Sequence, residues 1–492
     1  MAEIVLLALI VWPVGRVCAT KAFLRKVRTF PAVGSSLIAF FTIYVALVLM
    51  GAAYFPGVLR WLAVGALTLG AIAWFRSRPS YGVARGLPPG SLAIAPLGPW
   101  VDDLDYQKRA ARYGAVFKMN NFLAPMVCIV GLRKGADLLR THDADLSVPP
   151  LPLTRFVPRG FIRYLAPAEH RPAAARFRAA FAPSIIHDNE AAIARICRAE
   201  LERLETDSAE GGAAPRRYLD RLVFASFVSV FFGIDHESKQ FARLRGCYDA
   251  IQYSRSWRTP PGRVEAALRE IEALLRECRN PSFLTELGSP DEATLRNLIY
   301  MLLTAYVDVT GLLHWVTKMI ADHPELVTRL RSDPSPDAAA ERIVRETLRL
   351  EQSEYLMRRA RRTIQWNGYV IPRGWFVRVC VRESHRSAEV FERPDEFDPD
   401  RFLRRPPTPN EFAPFGMSRI ACLGEVMTLT VGRLFLTTLA RQFDLCTVSD
   451  GPREYGGFHW QPSSRFRIKV SRSADRGGYA EPPRRTPNLA SD

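Results

Sequence analysis

Residues 412 to 425 read Phe-Ala-Pro-Phe-Gly-Met-Ser-Arg-Ile-Ala-Cys-Leu-Gly-Glu. This stretch constrains the chain more than any other. Pro414, Gly416 and Gly424 demand a tight, irregular backbone. The run from Glu425 to Arg441 has helical spacing, with an acid in its first turn and basic residues later. Cys422 therefore sits on a glycine-punctuated loop that feeds a helix N-terminus, where backbone N–H groups and the dipole favour a thiolate. Three fates are open to such a sulfur: metal ligand, nucleophile, or inert buried thiol. Zinc would want a second Cys or a His two to four residues away, and none is there. A lone thiolate suits haem iron.

Eight cysteines are scattered with no CxxC pair, which is reducing-compartment usage. The net charge of +17 suits an anionic membrane face or an acidic protein partner. No aromatic-basic stripe, zinc knuckle or recognition-helix pattern points to nucleic acid.

Residues 34 to 54 carry no charge and span about 30 Å as a helix, the thickness of a bilayer core. Pro56-Gly57 then turns the chain, and residues 58 to 75 form a second apolar run with Arg60 near its end. A shorter run, 4 to 18, holds Pro13 and Arg16 and is either a short span or an interfacial piece. Lys21, Arg25, Lys26 and Arg28 precede the hairpin; Arg76, Arg78 and Arg85 follow it. Both basic clusters then lie on one side, and the positive-inside rule makes that side cytoplasmic. The expectation is a multi-pass membrane segment over 1–80, a catalytic domain over 86–472 on the cytoplasmic side, and a disordered Arg/Pro/Gly/Ser-rich tail over 473–492.

Phe415-Gly416, followed six residues later by Cys422-x-Gly424, resembles the cysteine-ligand loop of the cytochrome P450 family. The usual pattern there is Phe-Gly-x-Gly-x-Arg/His-x-Cys-x-Gly. Here Ser418 stands for the second Gly and Ile420 for the Arg or His. Other segments follow in the family's order. Gly86-Leu-Pro-Pro-Gly90 resembles the hinge after the anchor, and Glu346-Thr-Leu-Arg349 the Glu-x-x-Arg that pairs with Arg401.

The resemblance implies a mainly α fold with small β-sheets, and haem b bound through the thiolate of Cys422, with Phe415 and Gly416 against it. It implies haem-propionate contacts from Arg359, with Arg358 as runner-up, and from His385 and His170. Four residues after His170 the expected Arg is replaced by Ala174; Arg171, Arg176 and Arg178 lack the spacing.

The apolar run Leu295 to Asp322 holds one internal acid, Asp308, and resembles the family's long helix over the haem. A carboxylate there is costly unless paired or functional. Asp308 and Thr310 are the candidate catalytic pair for proton delivery. The register is ambiguous: counted back from Trp315 and His323, Val307 takes the acid's place and Asp308 the threonine's. Tyr306 stands where a small residue normally leaves room for oxygen.

The implied activity is a monooxygenase acting on an apolar, lipid-like substrate at the membrane. Its electrons would come from an external donor, an acidic ferredoxin or a flavoprotein reductase. Two alternatives stay open at this point. One is a haem-thiolate enzyme that uses peroxide or isomerises its substrate without the acid–Thr relay. The other is a non-enzymatic haem-binding membrane protein.

Overall fold

The computed structural model describes residues 85–473, apart from 93–101, 122–123, 150–160, 252–260, 279–281, 289, 352–354 and 457–458. The expected membrane runs and the terminal tail lie outside the described residues.

A helical body packs beside a six-stranded sheet. Its strands are β1 (Gly90–Ser91), β2 (Val116–Asn121), β3 (Ala124–Ile129), β4 (Leu146–Ser147), β5 (Leu356–Ala360) and, after the separate hairpin β6 (Ile364–Trp366) and β7 (Tyr369–Ile371), β8 (Phe376–Val379). The order across the sheet is β1-β2-β3-β8-β5-β4. The strands expected around 115–119 and 125–130 are β2 and β3, paired antiparallel. The Asn367-Gly368 turn joins β6 to β7, with both residues at positive φ, as a two-residue hairpin of this twist requires. After the last helix come β9 (Phe443–Ser449), β10 (Glu454–Tyr455), β11 (Trp460–Gln461) and β12 (Arg467–Arg472). β9 pairs with β12 and β10 with β11, each antiparallel.

The core of the helical body is the 31-residue helix Glu292–Asp322, hereafter the central helix. Asp291 caps it, its carboxylate accepting the Thr294 N–H at 2.8 Å. It is apolar on nearly every side because the protein surrounds it. By length and composition it could cross a membrane, but 72% of its most apolar window is buried within the protein. Helix Arg216–Phe232, itself almost wholly buried, lies against it.

Helix Glu425–Gln442 follows the cysteine loop and packs on helix Pro336–Leu350. Gly432 permits the close approach: a Cβ there would fall 2.8 Å from Val344 Cγ2. The loop is thus anchored at its C-terminal end by a helix whose neighbour carries Glu346 and Arg349.

Candidate active site on the cysteine loop

The loop closes on itself through the backbone. Cys422 N donates to Phe415 O at 2.8 Å, and Gly424 N donates to Cys422 Sγ at 3.3 Å. An N–H aimed at sulfur favours its charged form. The sulfur belongs to an exposed residue, whereas Cys128, Cys197 and Cys380 are buried. Gly416 lies at φ +80°, and a Cβ there would approach Leu356 Cδ2 to 3.3 Å. Ser418 lies at φ +65°, the left-handed region. The second glycine expected at this position is explained by that backbone, which a serine adopts at a cost of about 1–2 kcal/mol.

A buried scaffold holds the loop from behind. Ala413 N donates to His385 Nε2 at 3.0 Å. Arg349 Nη1 donates to the His385 carbonyl at 2.8 Å. Arg349 also grips both oxygens of Glu346 at 2.8 Å, and Arg401 Nε reaches Glu346 Oε1 at 3.0 Å. Glu346 and Arg349 are fully buried. The remaining donors are satisfied as well: Arg349 meets the Pro394 and Glu396 carbonyls, and Arg401 those of Glu392, Arg393 and Glu396. Breaking such a network from one side typically costs about 3–5 kcal/mol.

His385, expected at a propionate, braces the loop backbone. Its ring is completely buried, tilted against Phe412 at 5.0 Å, with Nε2 engaged by Ala413. Burial, with the Arg349 charge nearby, pushes its pKa down to about 3, so it is a neutral acceptor.

The two adjacent arginines of β5 separate by strand alternation. Arg358 is 3% exposed and points to the same face as Leu356 and Ala360. That face forms one apolar cluster with Ala413 and Met417 of the loop. Arg359 points to the other face, is exposed, donates to Gly374 O at 3.2 Å and lies over the Phe376 ring. The loop-side arginine is Arg358, the runner-up in the sequence, and Arg359 lies on the opposite face. The alternation Leu356, Arg358, Ala360 is visible in the sequence, but which of the two faces meets the loop is decided by Ala413 and Met417, far along the chain.

His170 is 4% exposed on helix Pro167–Ala180. Burial and the charges of Arg419 and Arg178 push its pKa down. Arg419, three residues before Cys422, bonds Asp143 at 3.0 Å and the Leu165 carbonyl at 3.3 Å, so it ties the loop to this region. Ala174 is buried and brings no charge, and Arg176 is committed to Leu287 O and Thr294.

The central helix separates Asp308 from Thr310. The Asp308 side chain is 53% exposed, and its Oδ1 lies 3.6 Å from His459 Nε2. Thr310 is fully buried, with a hydroxyl that meets no partner. At about 100° per residue the two point to nearly opposite sides, so they do not form a pair. Tyr306 is also turned inward, against Phe224 with ring centroids 5.7 Å apart. It leaves the Asp308 side open, contrary to the expectation that it crowds that side. Sequence reasoning missed His459, which lies between the paired strands β10 and β11; a two-residue strand gives no periodic signal to find it by.

A groove of about 890 Å³ is lined by loop residues from Pro407 to Ala421. Arg133, Arg140, Arg345 and Arg419 line it, with Asp137 and Asp143 among them.

Among the described residues no cluster of three or more His, Cys, Asp or Glu could hold a metal ion. Cys422, a single sulfur backed by an N–H, is the donor set that haem iron takes. The family profile "Cytochrome P450" matches residues 339–465. Abscisic acid 8'-hydroxylase 1 of Arabidopsis thaliana is 25% identical over 449 residues, covering 81% of this chain and 94% of that protein. Abscisic acid 8'-hydroxylase 3 of Oryza sativa subsp. indica is 24% identical over 404 residues, 69% of this chain and 77% of that protein. The solved structure of retinoic acid bound cyanobacterial CYP120A1 superposes with a TM-score of 0.66 at 19% identity, covering 79% of this chain and all of that one. The loop, the buried Glu346–Arg349–Arg401 network and these likenesses lead to one conclusion: the chain belongs to the cytochrome P450 family, a haem b-dependent monooxygenase that binds hydrophobic substrates and draws electrons from a redox partner.

Proposed function

We propose that Cys422 would hold the haem iron through its sulfur, with Phe415 and Gly416 of the same loop beside it. The observation that carries this is the Gly424 N–H directed at the sulfur of a loop braced by His385 and Arg349. Held there, haem would supply oxygen activation, and the Cys422 thiolate would be its protein donor. Arg358 and His170 hold the propionates, one from the sheet face against the loop and one from the helix beside Arg419. Asp308, on the open side of the central helix, is the acid that delivers protons. That exposed carboxylate favours oxygen activation over the peroxide-using, isomerising and non-enzymatic readings. Thr310, buried away from it, takes no part.

The substrate is an apolar, lipid-partitioning molecule, as the relatives named for abscisic acid and the neighbour that holds retinoic acid suggest. An acidic ferredoxin or flavoprotein reductase docks on the arginine-lined groove that borders the loop. Residues 1–80 anchor the protein in lipid, with the 86–472 domain on the cytoplasmic side.

The test is a carbon monoxide difference spectrum of the reduced full-length protein. The wild type and Cys380→Ala should give the thiolate-ligated band, and Cys422→Ala should lose it. Equal effects of the two substitutions, or a nitrogen-ligated spectrum in the wild type, would refute the assignment.

A further inference from the structure

Arg378 of β8 is the unusual charge in this chain. Its guanidinium lies 4.2 Å from the Tyr106 ring centroid and 3.9 Å from that of Tyr355. Its Nε is sealed from solvent and meets no acceptor. Among the described residues no carboxylate lies within ion-pair distance of it. Glu383 is near enough to influence it, yet Glu383 Oε2 is itself buried without a partner. Aromatic faces attract a cation but supply no acceptor for its five N–H donors. A sealed guanidinium N–H without an acceptor is costly to keep.

Register shows where this cation points. Arg378 is the cross-strand partner of Met357 on β5 and of Cys128 on β3, so the three share a face. Tyr355 leads directly into β5, and Tyr455 on β10 lies close enough to feel the Arg378 charge. The Tyr455 ring contacts Trp460 at 5.6 Å, the Trp460 carbonyl accepts from Trp315 of the central helix at 2.9 Å, and His459 sits beside Asp308. The β10–β11 hairpin thus connects the surroundings of Arg378 to the open side of the central helix.

We propose that Arg378, flanked by Tyr106 and Tyr355, is the anchor for a carboxylate carried by the apolar substrate. A planar guanidinium fixed between two rings is preorganised to pair with a carboxylate through two parallel hydrogen bonds. The apolar remainder of the molecule then extends past the hairpin toward Asp308. This rests on the reading that the protein oxidises an apolar substrate, and it narrows that class to acids.

Calorimetric titration of the haem-loaded full-length protein tests it. The probes are retinoic acid and hexadecanoic acid, each beside its methyl ester, with sodium acetate as the free anion. At least one acid should bind about 10- to 100-fold more tightly than its ester, and acetate should not compete at equal concentration. Arg378→Met should erase the preference by weakening the acid while leaving the ester within about threefold. Equal affinity for acid and ester in the wild type, or no binding of either acid, overturns the proposal without needing a variant. So does a preference that survives in Arg378→Met. A structural ion pair with Glu383 would instead make Arg378→Met and Glu383→Gln lower the melting temperature alike, with no acid preference in either protein. The carbon monoxide spectrum, recorded on the same samples, reports separately on the haem-thiolate assignment.

Discussion

Replacing His385 by Phe tests the scaffold behind the cysteine loop. The substitution keeps an aromatic ring against Phe412 but removes the acceptor for the Ala413 N–H. At pH 7.5 the wild-type histidine is neutral in both folded and unfolded chains, so the penalty comes from the groups the ring leaves behind, the Ala413 N–H first and the Arg349 backbone with it. A buried N–H without a partner costs about 1–3 kcal/mol. Acid changes the comparison. The folded pKa is depressed to about 3 from an ordinary value of 6.5. Below 6.5 the unfolded chain takes up a proton that the folded chain refuses, so stability present above 6.5 is lost as pH falls toward 3. At pH 5.0 the wild type has lost about 1.5 pH units of this linkage, or about 2 kcal/mol. The Phe variant loses none of it. His314, pushed down to about 3 by burial, is common to both proteins and cancels. The penalty of His385→Phe should therefore shrink from about 1–3 kcal/mol at pH 7.5 to near zero at pH 5.0. Guanidinium unfolding of both haem-loaded proteins at the two pH values, followed by circular dichroism, measures it. A penalty that stays constant or grows with acid would refute a buried neutral acceptor at this position.

Arg358→Ala should lower haem retention through gel filtration several-fold, while Arg359→Ala leaves it unchanged, because only Arg358 shares the loop's face of the sheet. Glu346→Gln should cost about 3–5 kcal/mol in chemical unfolding, since it strips the counter-charge from two buried arginines. Ser418→Gly should raise stability by about 0.5–1 kcal/mol, the left-handed strain relieved less the entropy that glycine loses on folding. Asp308→Asn should slow turnover about 100-fold or more, whereas Thr310→Ala should leave turnover within about twofold; the reverse ranking would restore the threonine to the site.

The sequence by itself settled the features that depend on local spacing. Glycines and a proline around Cys422 prescribed a tight loop, and the apolar period after Glu425 prescribed the helix that follows it. Asn367-Gly368 named a hairpin turn because only residues tolerant of positive φ fit there. Glu346 and Arg349 could be placed on one helix face from their spacing, although nothing local showed that they are fully buried. Tertiary structure decided whatever depends on which side of an element faces inward. One residue of strand phase separated Arg358 from Arg359, and two residues of helical phase separated Asp308 from Thr310. In both cases the apolar neighbours that fix the phase come from elsewhere in the chain, so neither short motif could carry the answer. The ring of His385 accepts from a backbone N–H 28 residues further along, a pairing that no local spacing announces. Arg378 drew no notice in the sequence, since an arginine in a strand is ordinary. Only the fold brings Tyr106, Tyr355 and Tyr455 around it and leaves its sealed Nε without an acceptor.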